Sequence, residues 1–521
     1  MGPDKYQQTI QTAIEQGMTT IEVGPNEQAA EQALATAYTT SIQNNPSLAN
    51  VPVTFLLRIG YRTIGGETAT NTKKDPTSIM DEINPTNSKE KVTDRPHVPV
   101  LLPHDVQVDG DSNNDNDSTD TLLDETEPSS PKVLHNIGSE WITTALETSP
   151  LVKLAQSHPN VHIVALLHNP EVQAMLLSSS RQERIQQRLA DAFMALETMV
   201  RDKNHVVDGY GVVSNGMSLP TDHPLHLAHT TVIAAAMQAK EQLSLSPTES
   251  LALQVVEFPA NLLETKGFDV AHKLKDFVKE KTTTDPTLSQ LQVYTLRPLT
   301  CYPDLGTGSG HPFILADYLL PATMEKKLQW SHTIDIDTPP DVYTIALRTA
   351  MSHFDAEILL EKKSRGEELS PEERETLDGC KLMQSLLHDV DAGLEKVRSF
   401  QAHEDELYNK IIPLIHDTFE SYDEETANVL QSFFGAYTLA VRHAIARNTR
   451  KLLVQGETGS NIPKYDIPED ERLQEFALRY VFETGGDSID KVIVGCAKAE
   501  HVLDTVEIVN RYFDDTKEGE A

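Results

Sequence analysis

Cysteine is scarce in this 521-residue chain. Cys301, Cys380 and Cys496 show no CxxC spacing, which leaves neither a disulfide framework nor a zinc site and makes the reducing cytoplasm the expected compartment. Basic residues are few as well: 44 Lys and Arg stand against 79 Asp and Glu, for a formal net charge of −35. Nucleic-acid phosphates need clustered cations and anionic membrane surfaces repel such a chain, so neither nucleic acid nor membrane is an expected partner. No apolar run approaches the ~20 residues of a membrane span. The opening MGPDKYQQTI has neither the apolar stretch of a secretory signal nor the Arg- and Ser-rich character of a transit peptide.

Against these absences stands a regular alternation of helix and strand patterns. Helices are expected over Lys5–Gln16, Glu27–Ile42, Ser139–Gln156, Gln182–Arg201, Leu225–Gln242, Phe268–Lys279, Glu471–Phe482 and Ala499–Tyr512. Strands are expected over Met18–Val23, Pro52–Arg58, Val161–Leu167, Val206–Val213, Leu251–Val256, Leu291–Leu296 and Lys491–Val494. Continuously apolar strands such as VHIVALL suit a parallel sheet covered on both faces. This rhythm predicts an α/β fold of the (β/α)8 TIM-barrel kind. The chain opens directly into the helix that would follow a first strand, so the expectation is either a start that lacks that strand or a barrel closed by another segment, for which VPVLLP (Val98–Pro103) is a candidate.

A barrel takes up about 250 residues, and two segments account for the excess. Residues 61–132 are rich in Asp, Asn, Ser, Thr and Pro, and Pro96–Pro131 holds nine acidic residues and no Lys or Arg. Such a stretch buries too little apolar surface to offset its ordering entropy, which predicts a disordered acidic insertion. Residues 330–469 are helical by pattern and read as an inserted helical subdomain that offers a surface for a protein partner. The barrel is therefore expected in three pieces, residues 1–60, 133–329 and 470–521. Within them, DLGTGSG (Asp304–Gly310) has the glycine content of a phosphate-binding loop and follows the strand at Leu291–Leu296. The EF-hand-like DSNNDNDSTDTL lacks both the turn glycine and the bidentate glutamate, so no metal is expected there.

AFMALETMVRDKNHVVDGYGVVSN (Ala192–Asn215) carries an amphipathic helix into a β-branched strand ending in Ser-Asn. It resembles the aldo-keto reductase family, whose members carry a similar helix into a strand ending V-S-N. AIEQGMTTIE, VTFLLRIG, IVALLHNPE, LALQVVEF, VYTLRPL and FALRYVFETGGDSIDKVIVGCAKAEHVLD resemble further family segments in the family's order. The resemblance covers most of the chain outside the two insertions. It implies NADP as cofactor, with Ser214, Asn215 and Gln254 on the nicotinamide carboxamide, Tyr294 stacked on the ring, and Gly495 and Lys498 at the adenosine phosphate. It further implies a small carbonyl or alcohol as substrate.

Departures from the family pattern bear on the chemistry. Glu22 stands at the family's catalytic Asp, Arg58 at its Lys and His168 at its His, while its proton-donating Tyr has no counterpart. Arg neither deprotonates nor substitutes geometrically for Lys. The expectation is therefore that His168 polarises the carbonyl or, as imidazolium, donates the proton, with Arg58 supplying fixed positive charge. A descendant that keeps the barrel and binds protein without catalysis is the competing expectation.

Overall fold

The computed structural model describes residues 3–23, 28–64, 106–107, 132–175, 181–202, 207–282, 288–301, 313–316, 341–418, 423–456, 463–469, 471–496 and 498–519. Seven strands form one parallel sheet: β1 (Thr20–Val23), β2 (Val53–Ile59), β3 (Val161–His168), β4 (Gly209–Val213), β5 (Leu253–Pro259), β6 (Gln292–Leu296) and β7 (Lys491–Ile493). Their order across the sheet is their order along the chain, as in a barrel wound one strand at a time. The sheet is nearly closed. Lys491 on β7 reaches back to the hydroxyl of Thr20 on β1, Nζ to Oγ1 2.8 Å, across the seam that has no strand ladder among the described residues.

Side-chain alternation divides each strand between two cores. Leu56, Val164, Leu166, Val213, Val255, Tyr294 and Leu296 point inward and fill the barrel. Phe55, Leu57, Ile163, Ala165, Leu167, Val212 and Val256 point outward and are covered by helices such as Arg181–Arg201 and His229–Gln242. Burial on both faces is why these strands read as unbroken apolar runs.

Helix and strand positions follow the sequence expectation with local shifts that have physical reasons. The single helix expected over Ser139–Gln156 is two, Ser139–Thr148 and Pro150–Ser157. Pro150 supplies no N–H to continue the first helix and opens the second, whose cap is Ser149, accepting from Leu151 N at 3.2 Å. The segment 61–132 is ordered at its ends. Tyr61–Ile64 pairs antiparallel with Lys132–His135, and Val106–Gln107 lies parallel to Val133–Leu134. The remainder of the acidic insertion, VPVLLP (98–103) and DSNNDNDSTDTL (111–122) included, and DLGTGSG (304–310) lie outside the described residues.

The downstream insertion is built of helices from Asp341–His353 to the 32-residue Glu424–Gln455, while its described end, residues 463–469, is not helical. Leu430, Phe433, Phe434, Tyr437 and Val441 of that long helix build a core with Tyr343, Met383, Leu387 and Leu407. Near its end, Leu453 joins a separate cluster with Leu299, Leu315 and Leu473, which fixes the insertion to the barrel. Among the described residues no helix is long and apolar enough to cross a membrane.

Candidate site at the carboxyl end of the barrel

β1, β2, β3 and β5 each deliver one ionisable side chain to the inner face near their carboxyl ends. Glu22 from β1 grips Arg58 of β2 in a bidentate pair, Nη2 to Oε2 2.7 Å and Nε to Oε1. The same Nη2 donates to Glu257 Oε1 on β5 at 3.2 Å. One guanidinium thus serves two carboxyl groups inside a barrel. Glu257 is fully buried, and its carboxyl is held well above the usual carboxylate range by burial first and by the Glu22 charge second, with Arg58 opposing. Burial thus favours its protonated form.

His168 ends β3 and is almost fully buried beside this cluster. Burial, then the charge of Arg58 and, least, that of Arg297, drives its titration well below the ordinary 6.5. The imidazole is therefore neutral across the physiological range, which corrects the expectation that imidazolium donates the proton. Arg297, at the end of β6 with a left-handed φ of 59°, pairs with Glu264 at 2.7 Å.

The hairpin at the ends of the acidic insertion leans on this site. Tyr61 packs edge-on between His135 and His168, ring centroids 4.5 and 5.0 Å away, and its hydroxyl is hydrogen-bonded to Asn169. His135 Nε2 lies 2.9 Å from the backbone carbonyl of His168, and Nδ1 lies 2.7 Å from Gln173 Nε2. Burial holds His135 down at about 4, so it is neutral; with Nδ1 accepting from the Gln173 amide, Nε2 carries the hydrogen and donates. Gly60 makes this approach possible: at φ 135° it sits where a Cβ would come within 3.2 Å of both His135 Nε2 and the His168 carbonyl.

The residues expected around a nicotinamide ring do not assemble. Ser214 spends its hydroxyl on Glu171, Oγ to Oε2 2.9 Å, and Glu171 Oε1 accepts from Gly216 N at 2.9 Å. Burial raises the Glu171 carboxyl to about 7 in spite of these bonds. Asn169, at φ 49°, holds the Asn215 N–H at 3.1 Å, so HNPE as a whole fastens the Ser214–Gly216 loop. Gln254 sits at the opposite, amino end of the barrel. It donates to the Asp208 carbonyl at 3.1 Å and lies over Gly209, where a Cβ would meet its carboxamide at 2.3 Å. Gln254 is the second residue of β5, which runs on to Pro259, and this places it there.

Tyr294 does point into the barrel, but its hydroxyl donates to Gln292 at 2.7 Å and Lys491 Nζ stands 5.2 Å from its ring centre. That ring face has no room for a stacked nicotinamide. Asn215 keeps its amide near the strand ends, and Gly495, exposed with open space around it, precedes Lys498 at the start of the helix Ala499–Gly519. Three of the four nicotinamide contacts are therefore spent elsewhere, and the described residues do not fit the group as the resemblance placed it.

Glu257, Glu171 and His135 do not stand out in the sequence as site residues. For Glu257 a signal was present, since a carboxylate inside the apolar run LALQVVEFP is itself anomalous in a strand buried on both faces. Among the described residues no three His, Cys, Asp or Glu side chains are placed to hold a metal ion. No protein-family model matches the chain, and no curated protein matches it.

Proposed function

We propose that this chain is an enzyme of aldo-keto reductase type, with a barrel of (β/α)8 descent, acting on the carbonyl or alcohol group of a small molecule. The observation that carries the reading is the convergence of Glu22, Arg58, His168 and Glu257 at the carboxyl end of a parallel barrel, where such folds do their chemistry. A neutral buried carboxyl, a fixed guanidinium and a neutral imidazole are the components of proton transfer to a developing alkoxide. The redox half of the activity, and NADP as its cofactor, rest on the resemblance alone. No hydride step is derived from Ser214, Gln254 or Tyr294.

The second reading is a non-catalytic barrel that binds protein through its helical insertion. It is favoured by the spent nicotinamide contacts and by Val342 and Ile345, which lie exposed on one face of the helix Asp341–His353. Thermal unfolding with and without NADPH separates the two. A ligand that binds only the folded state raises the melting temperature, by mass action, in proportion to its occupancy. A rise with NADPH supports the oxidoreductase; none at millimolar NADPH favours the binding module.

A further inference from the structure

Two polar atoms in the barrel mouth are buried and have no hydrogen-bond partner among the described residues: Glu257 Oε2 and His168 Nδ1. They belong to one layer of the barrel, because His168, Val213 and Glu257 are register partners in succession across β3, β4 and β5. Both side chains share the inward parity of Leu166 and Val255. Buried polar groups are rarely left unpaired, and a pair of them aimed into one enclosed layer marks the place of a small polar group.

Glu257 is surrounded by Glu22 from β1, Arg58 from β2 and Tyr294 from β6, while β4 contributes the apolar Val213. Glu22 already takes two N–H groups of Arg58, so Glu257 receives only a third, at 3.2 Å through Oε1. Two carboxylates on one cation in a dry barrel do not both stay charged. The more deeply buried one keeps the proton, and that is Glu257, its side chain at 0% exposure against 12% for Glu22.

We propose that Glu257 is the proton donor of this site and takes an uncharged carbonyl compound, an aldehyde or ketone, as its partner. This rests on the function proposed above and names its acid and its substrate class. The carbonyl oxygen sits between Glu257 Oε2 and His168 Nδ1. When a hydride donor adds hydride to the carbonyl carbon, the C=O π pair moves to oxygen and forms the new O–H bond with the Glu257 proton, while the Oε2–H electron pair stays on the carboxylate that Arg58 balances. In the reverse direction the carboxylate takes that proton back. A carboxylate or phosphate substrate is disfavoured, because it would lie against two acidic groups that share a single cation.

The test reads the hydrogen bond directly. 4-Nitrobenzaldehyde labelled with carbon-13 at the carbonyl is added to the full chain, and its carbonyl stretch is followed by infrared spectroscopy from pH 5 upward, through the range in which circular dichroism shows the chain folded. The wild type is expected to move the stretch to lower frequency, with the displacement lost as pH rises through the Glu257 titration. Glu257→Gln, whose amide still reaches Arg58, should give a smaller, pH-independent displacement. Glu22→Gln removes the like charge, so its displacement should disappear at lower pH than in wild type. An unmoved stretch in the wild type, an unchanged profile in Glu257→Gln, or an unmoved midpoint in Glu22→Gln each overturns the assignment. A wild type that moves the stretch but consumes no NADPH removes the oxidoreductase and leaves Glu257 as the donor. One that consumes NADPH with the same pH profile as Glu257→Gln leaves the oxidoreductase and removes Glu257.

Discussion

Replacing Glu171 with Gln tests how the Ser214–Gly216 loop is held. Glu171 is fully buried, and its carboxyl is raised from 4.5 to about 7. A folded-state value above the unfolded one means that the folded protein binds the proton more tightly, so stability is complete below about pH 4.5 and declines as pH rises toward 7. A tenfold difference in proton affinity between folded and unfolded chain is worth about 1.36 kcal/mol, so the full difference is about 3 kcal/mol, reached above pH 7. Gln reproduces the protonated carboxyl: its oxygen accepts from Gly216 N, and its amide faces the Ser214 hydroxyl, which turns to accept. At pH 5 the variant should therefore be the more stable by less than about 1 kcal/mol. By pH 8 the variant should be the more stable by up to about 3 kcal/mol. Urea unfolding at pH 5, 6, 7 and 8, read as the difference between the two proteins, isolates this group from Glu257 and the histidines, which titrate in both. A difference that stays constant with pH, or a variant less stable at pH 8, would refute the argument.

Other expectations follow from particular contacts. Gly211→Ala places a Cβ 2.4 Å from the Val255 carbonyl inside the barrel, where backbone must move, and should cost about 1–3 kcal/mol in urea unfolding. Gly209→Ala meets only the end of the flexible Gln254 side chain, and its measured loss should be well below that of Gly211→Ala. Lys491→Met and Thr20→Val together form a double-mutant cycle across the barrel seam; a coupling of about 0.5–1.5 kcal/mol is expected, and none would mean that their bond does not hold the seam. Phe434→Ala empties a fully buried place in the helical insertion and should lower stability by about 3–5 kcal/mol, read by the loss of helical circular dichroism on heating.

The parallel barrel was legible in the sequence because a strand buried on both faces writes itself as an apolar run, as VHIVALL does. Its registers were not. Gln254 illustrates the reason: its strand runs from Leu253 to Pro259, so Gln254 lies at the amino end beside the Asp208 carbonyl, and composition does not announce where the strand stops. His168, Arg58 and Glu22 were found as a group because the resemblance to the aldo-keto reductase family points to these three positions near the carboxyl ends of their strands. Their charge states were hidden, since the neutral His168 depends on Arg297, 129 positions away in the chain, as well as on burial. The resemblance put Ser214 on a nicotinamide carboxamide, and nothing local announces that the Glu of HNPE, 43 residues earlier, takes its hydroxyl.

Aldehyde reduction followed by NADPH absorbance, with 4-nitrobenzaldehyde and the full chain from pH 5 upward while the chain stays folded, tests the central claim most directly. Turnover should be present in the wild type, should fall as pH rises through the Glu257 titration, and should drop by about 10²-fold or more in Glu257→Gln, as expected for loss of a general acid. Absence of NADPH consumption across that range, in protein whose circular dichroism shows it folded, would contradict the account of an aldo-keto reductase-type enzyme.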